Sequence, residues 1–438
     1  MFATKCKVLF VLFIAFVANV HAQPVSLKTS KTSDAILHDF MDLRFGMFIH
    51  WGPVTLRGTE IGWSRNQQVT QNDYDSLYRE FNPVLFDAES WVKTARAAGM
   101  KYLTITAKHH DGFCLWPSAY TPYNISNTPF KKDVVGLLAK ACKKYGIKFC
   151  IYYTVLDWYS ADYPLHHDSN KTPDSKADMG RFRLYMKNQL KELITAYHPY
   201  MLWFDGNWEA PWTREMGMDI YNYIKQIDNK VIINNRLGKN AHDQMEAETV
   251  GDFATPEQKI GQINMNDPWE SCITICKQWS WKPNDEMKSL TQCIRTLSKT
   301  AGGNGNLLLN VGPMPDGRIE KRQTERLDEI GNWLQKNGDA IYGTKGGPYK
   351  PDSTFSSTRS GNKIFLHLYA ADKSSFSIPA IPGMKVSKTY FLASERKINV
   401  KESDGNISLS WTGDMPDPVC SIIVMEMNDR VDSIPLMK

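Results

Sequence analysis

A chain of 438 residues that is 42% hydrophobic and 23% charged has the balance of a folded globular protein, so a disordered or fibrous chain is excluded. Its formal charge of +5, of which Lys5 and Lys7 carry part, is too weak to indicate nucleic acid, and no basic cluster argues otherwise. Eight cysteines without CxxC pairs or knuckle spacing argue against a structural zinc site.

Lys5 and Lys7 open a basic region, 8–17 is an apolar run, and Val20-His21-Ala22 gives a small-residue exit before Gln23. That is the pattern of a cleavable export leader. The apolar run is about ten residues, short of the ~20 that a membrane span needs, and no later segment qualifies. The mature protein is expected to begin near Gln23 and to act in a periplasm or outside the cell. Without Cys6 the remaining cysteines are odd in number, so any disulfide pairing leaves a free thiol. Roughly 416 residues remain, enough for one large domain and a smaller one.

From 37 to 342 short apolar runs alternate with helical patterns, as in βα units around a parallel sheet. The first run, 45–49, ends in His50-Trp51-Gly52. Helical periodicity over 90–98 puts Trp91, Val92, Ala95 and Ala98 on one face and stops at Gly99. A second run over 102–107 ends in Lys108-His109-His110-Asp111-Gly112. The pattern then predicts a helix over 134–144, a strand over 149–153, a helix over 181–197 and a strand over 201–204. This last strand shows no polar alternation and runs straight into Asp205 and Gly206, as a strand covered on both faces would. A helix over 218–227 and a strand over 231–233 lead to Asn234-Asn235-Arg236. Periodicity loosens through GDFATPEQ and DPWESC, then returns as a helix over 287–297, a strand over 306–311 and a helix over 322–337. After Gly346-Gly347-Pro348, short alternating segments at 363–369, 406–411 and 421–427 predict antiparallel strands. The expected architecture is α/β: a (β/α)8-like barrel of TIM type over residues 23–346, irregular in places, and a small C-terminal β-sandwich over 347–438.

In such a barrel the strand tips face the active-site mouth. Asp205 reads as a carboxylate at that mouth or, equally, as the cap of a following turn. His109 and His110 fit structural, sugar-binding or metal-binding roles, although neighbouring strand residues point to opposite faces and seldom chelate one ion. Gly303 and Gly305 are no phosphate loop, because no Lys-Ser/Thr follows and the next element is a strand. The rich supply of Trp and Tyr suits sugar stacking as well as core filling.

HWG at 50–52, KHHDGFCLWPS at 108–118, WFDG at 203–206, GDFATPE at 251–257 and GNGNLLLNVGP at 303–313 together resemble an exported α-L-fucosidase of glycoside hydrolase family twenty-nine. Any one of these is weak alone; all of them in order between Leu37 and Gly347 are specific. The resemblance implies hydrolysis of terminal α-L-fucose from oligosaccharides or glycoconjugates through a covalent fucosyl-enzyme, with no cofactor, no metal and no nucleic-acid partner. It makes Asp205 the nucleophile and Glu257 the acid/base, with Glu246, Glu248 and Glu270 as rivals for the second role. His50, His109, His110 and Arg236 would bind the sugar, and Trp203, Tyr153, Trp63 and Trp281 would wall it. Glu60, in TEIGWSR, would help to hold it, and its unusual spacing to the next Trp points to the branch that prefers α-1,3 or α-1,4 branched fucose. Such chemistry needs one ionised carboxylate and one protonated carboxyl roughly 5 Å apart. A retaining glycosidase for another sugar, and a fucose-binding protein without turnover, are the alternatives. Oligomeric state is left open.

Overall fold

Seven parallel strands make one curled sheet in the computed structural model: β1 (Phe45–Ile49), β2 (Tyr102–Lys108), β3 (Lys148–Thr154), β4 (Met201–Asp205), β5 (Ile232–Ile233), β6 (Glu270–Thr274) and β7 (Asn306–Val311). Their order around the sheet is β5-β4-β3-β2-β1-β7-β6. The structure describes residues 31–167, 173–246, 248–369 and 374–437, and the leader pattern from Lys5 to Ala22 lies outside the described residues.

The sheet curls as a (β/α)8-like barrel does, but regular pairing does not close it. Between its edges runs the segment 253–257, touching them through single parallel bridges, Asn234 to Phe253, Ala254 to Trp269 and Glu257 to Cys272. Pro256 has no N–H to give to a ladder, and Asp252 takes the Ile233 N–H with its side chain instead. The (β/α)8-like barrel is thus irregular and open, with the segment that carries Glu257 in the gap.

Burial on both faces explains why the strands lack alternation. Phe48, Tyr102, Cys150, Tyr152, Met201, Trp203, Cys272 and Leu308 fill the interior, with Phe40 among them. Their neighbours, such as Met47, Ile105, Ile151, Tyr153, Leu202 and Phe204, pack outward against the helices. Each fully buried large apolar side chain contributes about 1.5–3 kcal/mol. Several helices begin at side-chain caps: Asp87 accepts from the N–H groups of Glu89 and Ser90 at the head of Ala88–Ala97, and Asp133 from Gly136 at the head of Val134–Tyr145. The helix expected over 287–297 is instead Leu290–Gly302, because Ser289 and Gln292 form a reciprocal capping box there. Strand β6 lies where periodicity had loosened; it is short and opens on a charged residue, Glu270.

Beyond the barrel are a five-stranded and a three-stranded antiparallel sheet. The five-stranded sheet is braced on the outer helices: the Trp333 indole donates to the Cys420 carbonyl at 3.0 Å, and Ser298 bonds Ser356 at 2.9 Å. Among the described residues no helix is long and apolar enough to cross a membrane.

Candidate active site

At the strand tips a cavity of about 60 Å³ is enclosed by side chains from the barrel and its loops. Asp205, the last residue of β4, reaches into it because Trp203 and Asp205 share the inward face. Gly206 follows at φ +93°, and a Cβ there would come within 2.7 Å of Leu156, so the turn that frees the tip requires glycine. Arg236, just after β5, is 1% exposed and is fixed from behind by Thr255, whose hydroxyl and carbonyl each accept at 2.9 Å. Its Nη1 donates both to Asp205 Oδ1 at 2.9 Å and to Glu257 Oε2 at 2.7 Å. The two accepting oxygens therefore lie no more than about 5.6 Å apart, a bound that admits the roughly 5 Å spacing of a retaining carboxylate pair.

Burial works to raise the Asp205 pKa, but the Arg236 guanidinium, through its charge and its hydrogen bond, outweighs it and holds the carboxyl below its ordinary value. Tyr152 adds a hydroxyl donor to Oδ2 at 3.3 Å. Asp205 is thus an ionised group poised at the cavity.

Burial depresses the histidines around it. His50 is lowered to about 3, with Nδ1 held at 2.6 Å from Asn310 Oδ1, and His110 is lowered to about 4 with its Nε2 3.7 Å from Asp205. His109, also lowered, lies flat on the Tyr152 ring at 5.3 Å and 7°. Neutral imidazoles of this kind can both donate to and accept from hydroxyl groups. Among the described residues no three His, Cys, Asp or Glu side chains converge as a metal-ligand set.

The structure brings together His50, Trp63, His109, Trp203, Asp205, Arg236 and Glu257 in one lining, with His110 just behind Asp205. Three expected residues stand elsewhere. Tyr153 faces the helix layer, where its hydroxyl bonds Gln189 at 2.7 Å; the neighbouring Tyr152, in register with Trp203, takes the cavity position. A strand flips side chains at every residue, so an error of one position reverses the face. Trp281 packs beside Gly58 outside the cavity, and Trp279, tilted against His50 at 4.7 Å, lines it instead. Glu60 does not line the cavity but anchors that loop, accepting from the Trp279 and Ser280 N–H groups at 2.9 and 3.0 Å. Of the rival acids, Glu246 and Glu248 sit in the outer rim and Glu270 is buried behind Trp203.

Sequence reasoning also missed Phe48, Trp208 and Cys272, which complete the lining. Trp208 stacks on Trp63 at 5.9 Å and 19°, and on His242 at 6.4 Å and 27°, so an aromatic ledge leads outward from the cavity. The signal for Trp208 was its place three residues beyond a functional strand tip; Cys272 had none, since its strand was not recognised.

Residues 14–339 match the family model described as Alpha-L-fucosidase. An alpha-L-fucosidase of Branchiostoma floridae is 32% identical over 333 residues, which cover 69% of this chain and 72% of that protein. Alpha-L-fucosidase isoenzyme 1 from Paenibacillus thiaminolyticus superposes with a TM-score of 0.83 at 33% identity, over 90% of this chain and 99% of that one. An alpha-L-fucosidase of family GH29 from Bacteroides thetaiotaomicron, trapped as a covalent intermediate with 2-fluoro-fucosyl fluoride, gives 0.83 at 28% identity over 91% and 97%. A carboxylate pair at the tips of a curled parallel sheet and matching relatives over most of the chain lead to one assignment: this chain belongs to the alpha-L-fucosidase family, GH29, of the glycoside hydrolases.

Proposed function

We propose that the chain is an exported, exo-acting, retaining α-L-fucosidase that removes terminal α-L-fucose from oligosaccharides or glycoconjugates. The observation that carries this reading is the pairing of Asp205 and Glu257 on one nitrogen of Arg236. In the first step the Asp205 carboxylate attacks the anomeric carbon, the bond to the leaving oxygen breaks, and Glu257 gives that oxygen its proton. An ester between Asp205 and fucose results. Glu257, now a carboxylate, takes a proton from water as the water attacks the same carbon, and Asp205 leaves. The trapped intermediate of the Bacteroides relative supports this order.

Glu257 also borders a second, larger cavity of about 930 Å³, walled by residues such as Lys239, His242, Asp243 and Gln244. An acid at the junction of a tight cavity and a roomy polar one suits a small terminal sugar joined to a bulky hydrophilic leaving group. That space supports the branched α-1,3 or α-1,4 preference expected from the sequence. The test compares 4-nitrophenyl α-L-fucoside with a branched fucosylated trisaccharide, with the first-formed anomer followed by NMR. Release of α-L-fucose first and a higher kcat/KM for the trisaccharide are expected. β-L-Fucose as the first product would overturn retention, and no release of fucose from either would overturn the activity.

A further inference from the structure

Strand β6 opens inside the barrel on Glu270, a carboxyl with no exposed surface. Around the sheet β4 and β6 are separated by four other strands, so a contact between them crosses the interior. Glu270 makes that contact. Its Oε1 accepts from the Trp203 indole Nε1 at 3.0 Å, while Oε2 accepts from the Tyr102 hydroxyl on β2. One side chain thereby ties three strands together.

The ring it holds has work to do. Trp203 walls the small cavity, lies 5.6 Å from the Tyr152 ring at 18°, and carries the Arg236 guanidinium 4.8 Å above its face. Arg236 in turn sets Asp205 and Glu257. Burying a carboxyl costs several kcal/mol unless its oxygens are well served, and an apolar residue of similar size is often more stable at such a place. Burial pushes Glu270 up to about 7, with the bonds from Tyr102 and Trp203 opposing it. Packing alone therefore gives no reason for an acid here, whereas a fixed indole N–H does. Glu270 is not part of the cavity lining, so it is out of reach of a leaving group.

We propose that Glu270 is a positioning residue that acts through Trp203: by locking the indole, it sets the cavity wall and the seat of Arg236. This rests on the fucosidase reading above. A wild-type enzyme that releases no fucose would defeat that reading, whereas an active wild type isolates the present test.

The experiment is a double-mutant cycle on 4-nitrophenyl α-L-fucoside, using Glu270→Leu, Trp203→Phe and the pair, each checked for folding by circular dichroism. A leucine accepts from neither donor, whereas a glutamine still accepts from the indole through its oxygen and gives an N–H to the Tyr102 hydroxyl oxygen. The expected result is a rise in KM of at least about five-fold and a fall in kcat/KM of about ten-fold or more for Glu270→Leu, with the double variant little worse than Trp203→Phe alone. Glu270→Gln and Tyr102→Phe, which both leave the indole bond, are expected to stay within about two-fold of wild type in KM. Unchanged kinetics in a folded Glu270→Leu enzyme, additive losses in the cycle, or an equal KM rise in Tyr102→Phe would each reduce Glu270 to a brace of the fold and overturn the proposal. Should Glu270→Leu not fold, Glu270→Asp, which withdraws the oxygens by one methylene, is read by the same criteria.

Discussion

Asp205 and Glu257 accept hydrogen bonds from the same nitrogen of Arg236, at 2.9 and 2.7 Å. A guanidinium buried to 1% and clamped by Thr255 is thus the ruler that spaces the two carboxylates. The arrangement is not symmetrical. The Asp205 side chain is 13% exposed and has Tyr152 and His110 beside it, while that of Glu257 is 39% exposed and borders the outer cavity. On the proposed reading, Glu257 has to part from Arg236 to carry a proton to a leaving group, whereas Asp205 attacks from where it stands.

Asp205→Asn is the sharpest test of the nucleophile. The amide keeps the volume but cannot attack, so kcat should fall on the order of 10⁴-fold or more with the fold retained. Steady-state kinetics on an aryl fucoside, with circular dichroism as the control, decide the matter. A variant within ten-fold of wild type would take Asp205 out of the mechanism.

Glu257→Ala should behave differently with different leaving groups. A 4-nitrophenolate needs little protonation, so aryl fucosides should lose far less kcat than a trisaccharide, and azide should restore turnover by attacking the fucosyl ester without a base. If the loss is equal for both substrates and azide has no effect, the acid lies elsewhere. Glu246 and Glu248, on the rim, would then be examined.

The adjacent tyrosines give a paired prediction. Tyr152→Phe removes a donor to Asp205 and should lower kcat/KM by about ten-fold, the low end of the roughly 1.5–3 kcal/mol for a hydrogen bond to a charge, as its 3.3 Å length suggests. Tyr153→Phe leaves the Gln189 side-chain oxygen without its donor in the helix layer, so Tm should drop while KM stays put. A reversed pattern would mean that β3 presents the other face.

That pair also shows where the sequence stops being legible. Strand ends carrying His50, Asp205 and Arg236 were readable because apolar runs broke off at polar residues. The facing of β3 was not, because a strand buried on both sides has no polar row to set its phase, and only pairing with β4 places Tyr152 level with Trp203. Glu60 is a different case: the resemblance implies a sugar contact, and its carboxylate serves backbone N–H groups 219 and 220 residues away, a contact no local pattern encodes. The open edge of the barrel was hidden for the same reason, since Pro256 marks a ladder interruption only once the segment is known to lie between two strands.

Stability against pH offers the last prediction. His50 and His110, held at about 3 and about 4 against an ordinary 6.5, stay neutral when folded, so between about pH 6.5 and 4 the unfolded chain takes up protons that the folded one refuses. Their contribution is full above pH 6.5 and is lost as pH falls. Glu270 and Asp111, raised to about 7 and about 6 from 4.5 and 3.8, have the opposite sign: their contribution is full below the ordinary values and is lost as pH rises through the folded ones. Glu270→Gln removes one of these raised acids, so its Tm relative to wild type should improve as pH goes from 4.5 to 7.5, by an amount corresponding to about 3 kcal/mol. The pH series is read by differential scanning fluorimetry on both proteins. A Tm difference that stays flat across that interval would mean that Glu270 is already ionised in the folded enzyme at low pH, with Tyr102 and Trp203 stabilising the charge in full.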